Sequence, residues 1–443
     1  MLRHRHYRNV WLGAFGSYIG TWMEMVGVQW VMAQACLAAS WIESGRPGAP
    51  VMMGYLAVAQ TGPMLVLGLL GGVVADRVNR RKLLLFTQFL LMLVAAVLTW
   101  ETFAGRSTPW MLMAVSAATG IIMVFNVPAW QVLTPRLVPR DELTNAITLN
   151  GVAFNMARVI GPALAGLLLD RFGAATLFLL NTLSFLGCLA GIWTTPDAPA
   201  PPREKDRHAA AEMWEGCRYV FGDVALRRLI LSVVIFSALG TPMLRMMPIL
   251  VSEVYHAAEK TFGVLLAIMG IGAVVGGFSL RLVPAWYPKH HLIPLSIMLG
   301  GLCIGLYSMS PDTLTAGITV FLSGFFWMWS FNSAFAALQL LVEDRMRGRA
   351  LALCNVLSFG AMPLGALAAG YIGEFVSGRE NDGFGTQVGL GLLAAVLTIS
   401  GLVMLIWRTP EIDGVKPGEP LYERRRSLIA GITASAHKPP RPQ

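Results

Sequence analysis

Long runs without charged residues alternate with short charged clusters along the whole chain. No Asp, Glu, Lys or Arg occurs within 47–75, 83–100, 107–135, 172–196, 261–280, 290–311, 313–342, 350–373 and 383–407. An apolar run of about 18 residues or more is long enough to cross the hydrocarbon core of a bilayer as a helix. These runs, together with the first apolar stretch, predict a polytopic helical membrane protein.

The pattern predicts twelve transmembrane helices, with boundaries good to a few residues. They lie at 10–38, 51–74, 83–104, 110–133, 143–169, 174–194, 226–252, 262–283, 290–310, 313–341, 350–376 and 387–407. A membrane β-barrel is excluded because its strands read as alternating segments of about ten residues rather than solid apolar runs. The predicted fold class is therefore all-α.

Composition agrees with this reading and sets the orientation. Only 13% of the 443 residues are charged, against about 25% in soluble domains, which excludes an ordinary soluble enzyme or a disordered chain. With the N-terminus inside, 27 of the 34 Lys and Arg fall in cytoplasmic segments and five in outside loops. The positive-inside rule then predicts that both termini are cytoplasmic. It also explains the net charge of +9 without a nucleic-acid partner.

The longest hydrophilic interruption divides the chain into six spans plus six. We expect a first six-helix bundle at 1–195, a cytoplasmic linker at 196–225, a second bundle at 226–407 and a cytoplasmic tail at 408–443. The linker is proline-rich to residue 202 and then predicts a surface helix over 209–220. The first apolar run is too long for a cleaved signal peptide and is read as a retained span. The five cysteines form no CxxC pair or disulfide framework.

A weak internal repeat supports the same division. Gly20-Thr-Trp-Met in the first span matches Gly240-Thr-Pro-Met in the seventh, and Phe125-Asn126 matches Phe331-Asn332. Two six-helix halves related by a parallel repeat form a known transporter architecture with a site between the halves.

The segment between the second and third spans carries the most specific motif. It reads Gly71-Gly-Val-Val-Ala-Asp-Arg-Val-Asn-Arg-Arg-Lys82 and resembles the signature of the major facilitator superfamily. The matching residues include Gly72, Asp76, Arg77 and Arg81, with Arg80 as an additional charge. Asn79 stands where the signature has glycine; because Asn tolerates the left-handed conformation, we expect the tight turn to be kept. The resemblance implies a fold of two pseudo-symmetric six-helix bundles and a loop that closes the cytoplasmic gate.

The fifth span carries a second motif, Gly161-Pro-Ala-Leu-Ala-Gly166. Gly161, Pro162 and Gly166 allow a kink and close helix packing, and they resemble the motif of exporters and antiporters in the superfamily. The stretch 126–166 is similar to the bacterial branch that contains the enterobactin exporter and macrolide efflux proteins. This resemblance implies a bacterial inner-membrane location.

Three ionisable residues fall well inside predicted spans: Glu24, Arg158 and Arg245. A charge near the bilayer centre costs at least about 2.5–3.5 kcal/mol, so we expect all three to point towards other helices or water. One interpretation is a buried ion pair that fixes helix positions. The other is that Glu24 carries a coupling proton while the arginines bind a substrate anion. The residues expected to line the substrate cavity with Arg158 and Arg245 are Trp22, Asn126, Trp130, Trp327 and Asn332.

The function that these features favour is secondary active transport by alternating access. We expect proton-coupled efflux of a small amphipathic molecule, siderophore or drug-like, by a monomer in contact with membrane lipids, driven by the proton gradient without a cofactor or metal. An importer of an organic anion with the same fold is the alternative. A membrane-embedded enzyme is disfavoured because the seven histidines lie outside the middle of the spans and only one carboxylate is deep within them.

Overall fold

The computed structural model describes residues 3–133, 137–196, 209–283, 289–378 and 382–406. Over these residues the regular structure is helical, apart from turns and two short 3-10 segments at Arg140–Glu142 and Leu280–Leu282. The α-helices are α1 (Arg5–Leu37), α2 (Ala39–Glu43), α3 (Ala49–Arg77), α4 (Arg80–Phe103), α5 (Pro109–Leu133), α6 (Leu143–Phe172), α7 (Ala174–Trp193), α8 (Ala209–Gly222), α9 (Val224–Gly240), α10 (Pro242–Glu253), α11 (Glu259–Ser279), α12 (Lys289–Ser308), α13 (Thr313–Leu341), α14 (Asp344–Ser377) and α15 (Asp382–Ile406).

These helices confirm the predicted fold class. Within the described residues, eleven helical segments are long and apolar enough to cross a membrane. One of them is formed by α9 and α10 together, which are separated at Thr241 before the helix-starting Pro242. The twelfth span is α1, whose 33 residues include Glu24 and several glycines and are therefore less apolar.

The packing of the first six spans recurs in the last six. In the first half, defined here as α1–α7, α4 packs against α5 and α7, and α3 packs against α5. In the second half, α9–α15, the corresponding α12 packs against α13 and α15, and α11 packs against α13. The two halves meet mainly through α3 with α14 and through α6 with α11. The residue boundaries of the bundles given above stay a prediction.

The halves approach each other most closely towards one end, which we call the outer end because the predicted outside loops lie there. Gly370 on α14 packs onto the backbone of Pro50 and Val51, and Gly54 on α3 packs onto Leu367. Gly166 on α6 faces Gly263 on α11, and a Cβ added to Gly263 would lie 2.4 Å from the Cα of Gly166. Without side chains between them, the backbones are in direct contact there.

The opposite end, which carries the N-terminus and which we call the basic end, is more open. Gly151 on α6 has no neighbouring atom within 4 Å of an added Cβ. On α13, the polar side chain of Asn332, which lies towards this end, is exposed as well. The contacts between the halves thus leave a cleft that opens at the basic end.

The turn at the basic end between α3 and α4 differs from the expectation. Asn79 has φ −62° and ψ 114°, so it is extended rather than left-handed. Its side chain accepts a hydrogen bond from the Lys82 amide at 3.2 Å and acts as the N-cap of α4. Asn therefore serves this position by capping, and not by tolerating a left-handed turn.

The linker helix α8 covers the segment predicted as a surface helix. Val220 is buried and Cys217 is half-buried against the second half, whereas Trp214 is 72% exposed. Glu215 on α8 pairs with Arg349 on α14 at 2.8 Å. The preceding linker at 197–208 and the predicted tail at 408–443 lie outside the described residues.

Candidate functional site

Arg158 lies in the cleft between two tryptophans, one from each half. Its guanidinium carbon is 5.9 Å from the ring centre of Trp22 on α1 and 5.2 Å from that of Trp327 on α13. Gly161, one turn further along α6, allows α1 to approach closely, since an added Cβ would lie 2.5 Å from the Cβ of Trp22. The Phe236 ring supports Trp327 from α9, with ring centres 5.6 Å apart. A cation between two aromatic faces is stabilised by their quadrupoles. Because neither ring carries a negative charge, the guanidinium can still bind an anion in the cleft.

Arg245 lies on α10, just after the break in the seventh span, and contacts the other half. Its Nη2 donates a hydrogen bond to Oε1 of Gln60 on α3 at 2.5 Å. Both side chains are half-buried. The amide of Gln60 satisfies one donor of Arg245 but leaves its positive charge uncompensated.

Glu24 faces α7 rather than the arginines. Its Oε2 accepts a hydrogen bond from Nδ2 of Asn181 at 2.5 Å, and Asn181 is 1% exposed. Gly20, one turn earlier on α1, allows this approach, since its added Cβ would lie 2.6 Å from Oδ1 of Asn181. Trp22 lies two residues from Glu24, which is about 200° around a helix. Glu24 and the Trp22–Arg158 contact therefore lie on opposite faces of α1.

The three charged groups do not pair with one another. Within the described ranges, no salt bridge includes Glu24, Arg158 or Arg245. The interpretation of a buried ion pair is therefore not supported by these contacts. Nor do the described side chains bring three His, Cys, Asp or Glu together in a way that could hold a metal ion.

The described contacts of three other residues predicted for the cavity do not include Arg158. Asn126 on α5 is 3% exposed and donates to Thr87 on α4 at 2.9 Å. Trp130 packs against a buried apolar cluster within the first half. Asn332 is exposed and has its amide nitrogen 3.9 Å from an added Cβ of Gly277 on α11.

The motif residues act at two places. Gly166 makes the contact with Gly263 between the halves, and Pro162 contributes its carbonyl oxygen to the same contact, 2.6 Å from an added Cβ of Gly263. At the basic end Arg81 donates to the carbonyl of Trp193 at 2.6 Å, where it neutralises the end of α7. Arg80 is 5% exposed. The side chains of Gly72, Asp76 and Arg77 lie outside the described residues.

Sequence reasoning missed Gln60 and Asn181, the partners of Arg245 and Glu24. The signal that could have found them is a carboxamide inside an otherwise apolar helix, because such a group needs a hydrogen-bond partner in the membrane. A search for ionisable residues alone does not find Gln60 or Asn181.

The fold and the charged cleft between two halves define a multi-pass membrane transporter of the major facilitator superfamily, which is a class of transporters and not of enzymes. The chain belongs to the family of transmembrane secretion effectors, whose sequence pattern it matches over residues 1–425. It is 23% identical over 356 residues to the staphyloferrin A transporter of Staphylococcus aureus, covering 80% of this chain and 86% of that protein. It is 24% identical over 407 residues to the enterobactin exporter EntS of Shigella boydii, covering 89% of this chain and 92% of that protein.

Among solved structures it resembles a bacterial homologue of the lysosomal transporter Spinster in an inward-facing, unoccupied conformation, with a TM-score of 0.71 and 13% identity over 90% of this chain and 96% of that one. These likenesses confirm the predicted superfamily and its bacterial branch.

Proposed function

We propose that this transporter exports a small, amphipathic, anionic molecule of the siderophore or drug-like class in exchange for protons. The observation that carries the proposal is Arg158, a cation between Trp22 and Trp327 without a carboxylate partner among the described residues. A cation flanked by aromatic faces suits a ligand that combines an anionic group with a flat apolar part. The names of the relatives, a staphyloferrin A transporter and an enterobactin exporter, support the siderophore class.

Proton coupling is assigned in this proposal to Glu24. Moving a carboxyl group out of water favours its neutral form, whereas hydrogen bonds to its oxygens favour the ionised form. Glu24 has a neutral amide partner in Asn181, so it can take up a proton without breaking an ion pair. Because it faces away from Arg158, protons and substrate do not compete for one group. Their coupling passes through movement of α1, which carries Glu24 on one face and Trp22 on the other.

The remaining parts of the proposal concern the setting of the protein. It works as a monomer in the bacterial inner membrane with both termini in the cytoplasm, and the proton gradient is its energy source without a cofactor. The basic end then faces the cytoplasm, and the cleft described above is open to that side.

The test is transport into proteoliposomes with an imposed proton gradient. A panel of siderophores and hydrophobic drugs identifies the cargo, and 2,3-dihydroxybenzoate with its neutral amide probes the role of charge. We expect Glu24→Gln to abolish gradient-driven accumulation and to leave exchange without a gradient intact. Arg158→Gln should impair transport of the anion more than that of the amide.

One matched control and two contrary outcomes sharpen this test. Asn126→Leu replaces a buried, uncharged amide of the first half that donates a hydrogen bond to Thr87. This variant should therefore affect transport of 2,3-dihydroxybenzoate and of its neutral amide equally. Uphill transport that persists in Glu24→Gln would refute the assignment of the proton site. Accumulation in the direction of proton flow would identify an importer instead.

A further inference from the structure

Among the described hydrogen bonds between the halves, the one between Arg245 and Gln60 is the only one whose donor is a charged side chain. It joins α10 of the second half to α3 of the first, and its donor is a charged group of the candidate site. Nearer the outer end, Gln34 and Ser252 also join the halves, through a neutral hydrogen bond of 3.2 Å. Of these two hydrogen bonds, only the one from Arg245 offers a cation to an anion that enters the cleft.

The position of this bond relates it to the closure of the outer end. From Gln60, α3 runs towards the outer end, where Pro50, Val51 and Gly54 pack tightly against α14, and α3 also contacts α10 along the way. Alternating access requires the halves to separate at this end. When α3 moves away from α10 and α14, Gln60 moves away from Arg245.

The acceptor in this bond is an uncharged amide. Within the described residues no carboxylate lies within ion-pair distance of Arg245, so the guanidinium is held by a weaker acceptor than an anion provides. Gln60 accepts a single hydrogen bond from the guanidinium with an uncharged oxygen, whereas a carboxylate can accept two parallel hydrogen bonds and also carries the opposite charge. An anionic cargo can therefore replace Gln60, and once it has done so the contact no longer opposes separation of the outer end.

We infer that Gln60 is a positioning residue that ties Arg245 to the first half when no substrate is bound, and that the anionic cargo triggers opening of the outer end by taking its place. This rests on the proposed function in one respect, namely that the cargo carries an anionic group. A ligand shifts a conformational equilibrium only by its difference in affinity for the two states. For an anionic cargo, the affinity differs between the two access states because Arg245 can give all its hydrogen bonds to the cargo only after Gln60 has moved away from it.

The decisive experiment needs no substrate. Spin labels at the basic end report how far that end is open in lipid nanodiscs. They are placed at the exposed Lys82 on α4 of the first half and at the exposed Arg218 on the linker helix α8, which packs against α14 of the second half. Gln60→Glu places a carboxylate on the first half next to Arg245 and should raise the ratio of open to closed basic ends by about tenfold or more. Gln60→Leu removes the acceptor and should lower that ratio by a similar factor.

Two controls separate this effect from general damage to the interface. Gln34→Leu also removes a hydrogen bond between the halves. The described contacts of Gln34 include no cation, so this variant should shift the label distances much less. In an Arg245→Gln background, Gln60→Glu and Gln60→Leu should give the same distance distribution. The inference is overturned if the two Gln60 variants shift the distances in the same direction, or if their difference survives without Arg245.

A transport measurement tests release by the cargo. In exchange without a gradient, Gln60→Glu should raise KM for 2,3-dihydroxybenzoate and Gln60→Leu should lower it, while KM for the neutral amide stays unchanged. Unaltered KM values in both variants would contradict release by an anion. Absence of exchange in the unmodified protein would contradict the proposed function instead, and the label distances would still decide the role of Gln60.

Discussion

Replacement of Gly263 by alanine tests whether the contact between α6 and α11 sets the balance of access states. In the structure the added Cβ would lie 2.4 Å from the Cα of Gly166 and 2.6 Å from the carbonyl oxygen of Pro162. Ordinary van der Waals contacts of a Cβ begin at 3.4 Å, and both neighbours are backbone atoms that cannot rotate away. The two helices must therefore separate by about 1 Å, and overpacking of this kind costs about 1–3 kcal/mol.

This cost applies only while the outer end is closed, because α6 and α11 separate there in the other access state. A penalty of about 1–3 kcal/mol changes the ratio of the two states by about 5- to 150-fold. We therefore expect Gly263→Ala to shorten the distance between spin labels at Lys82 and Arg218, as the basic end closes and the outer end opens. Gly151→Ala is the matched control, since no atom lies within 4 Å of its added Cβ.

The control also removes the effect of helix propensity. Alanine favours a helix over glycine by about 1 kcal/mol, but this gain is the same in both access states and applies to both variants. The reasoning is refuted if Gly263→Ala and Gly151→Ala give the same label distances as the unmodified protein.

Two further predictions concern carboxylates outside the spans. Backbone hydrogen bonds, led by that from Thr315, hold the pKa of Asp312 below its ordinary value. The capping of α13 by Asp312 therefore stabilises the protein above about pH 4, and this stabilisation is lost as the pH falls through the depressed pKa. We expect Asp312→Ala to lower Tm at neutral pH and Asp312→Asn to retain it, and we expect the difference in Tm between Asp312→Ala and the unmodified protein to disappear in acid. The hydrogen bond from His4 is the main cause of a lowered pKa at Glu142, so Glu142→Gln should likewise lower Tm at neutral pH and have little effect below about pH 4. A Tm difference that stays constant from neutral to acid pH would contradict either assignment.

Much of the architecture follows from the sequence because burial in a membrane leaves few solutions. A helix must satisfy its own backbone groups in the bilayer, so each charge-free run of sufficient length predicts a span. The bounds of the spans from α3 to α15 agree with those predicted to within six residues, but the break of the seventh span between α9 and α10 was not predicted. Glu24, Arg158 and Arg245 could be singled out for the same reason, since a charge within a span is costly. The motif at 71–82 was specific enough to indicate the superfamily.

The partners of those charges were decided only by tertiary structure. Helical periodicity gives the face of α1 on which Glu24 lies, but it does not tell which helix packs against that face. The fold places α7 there, so that Asn181 and not an arginine meets the carboxylate. In the same way, the packing of α3 against the second half brings Gln60 to Arg245 across 185 residues of sequence. Contacts between distant helices depend on how whole helices pack, and local sequence constrains that only through small residues such as Gly166 and Gly263 that allow close approach.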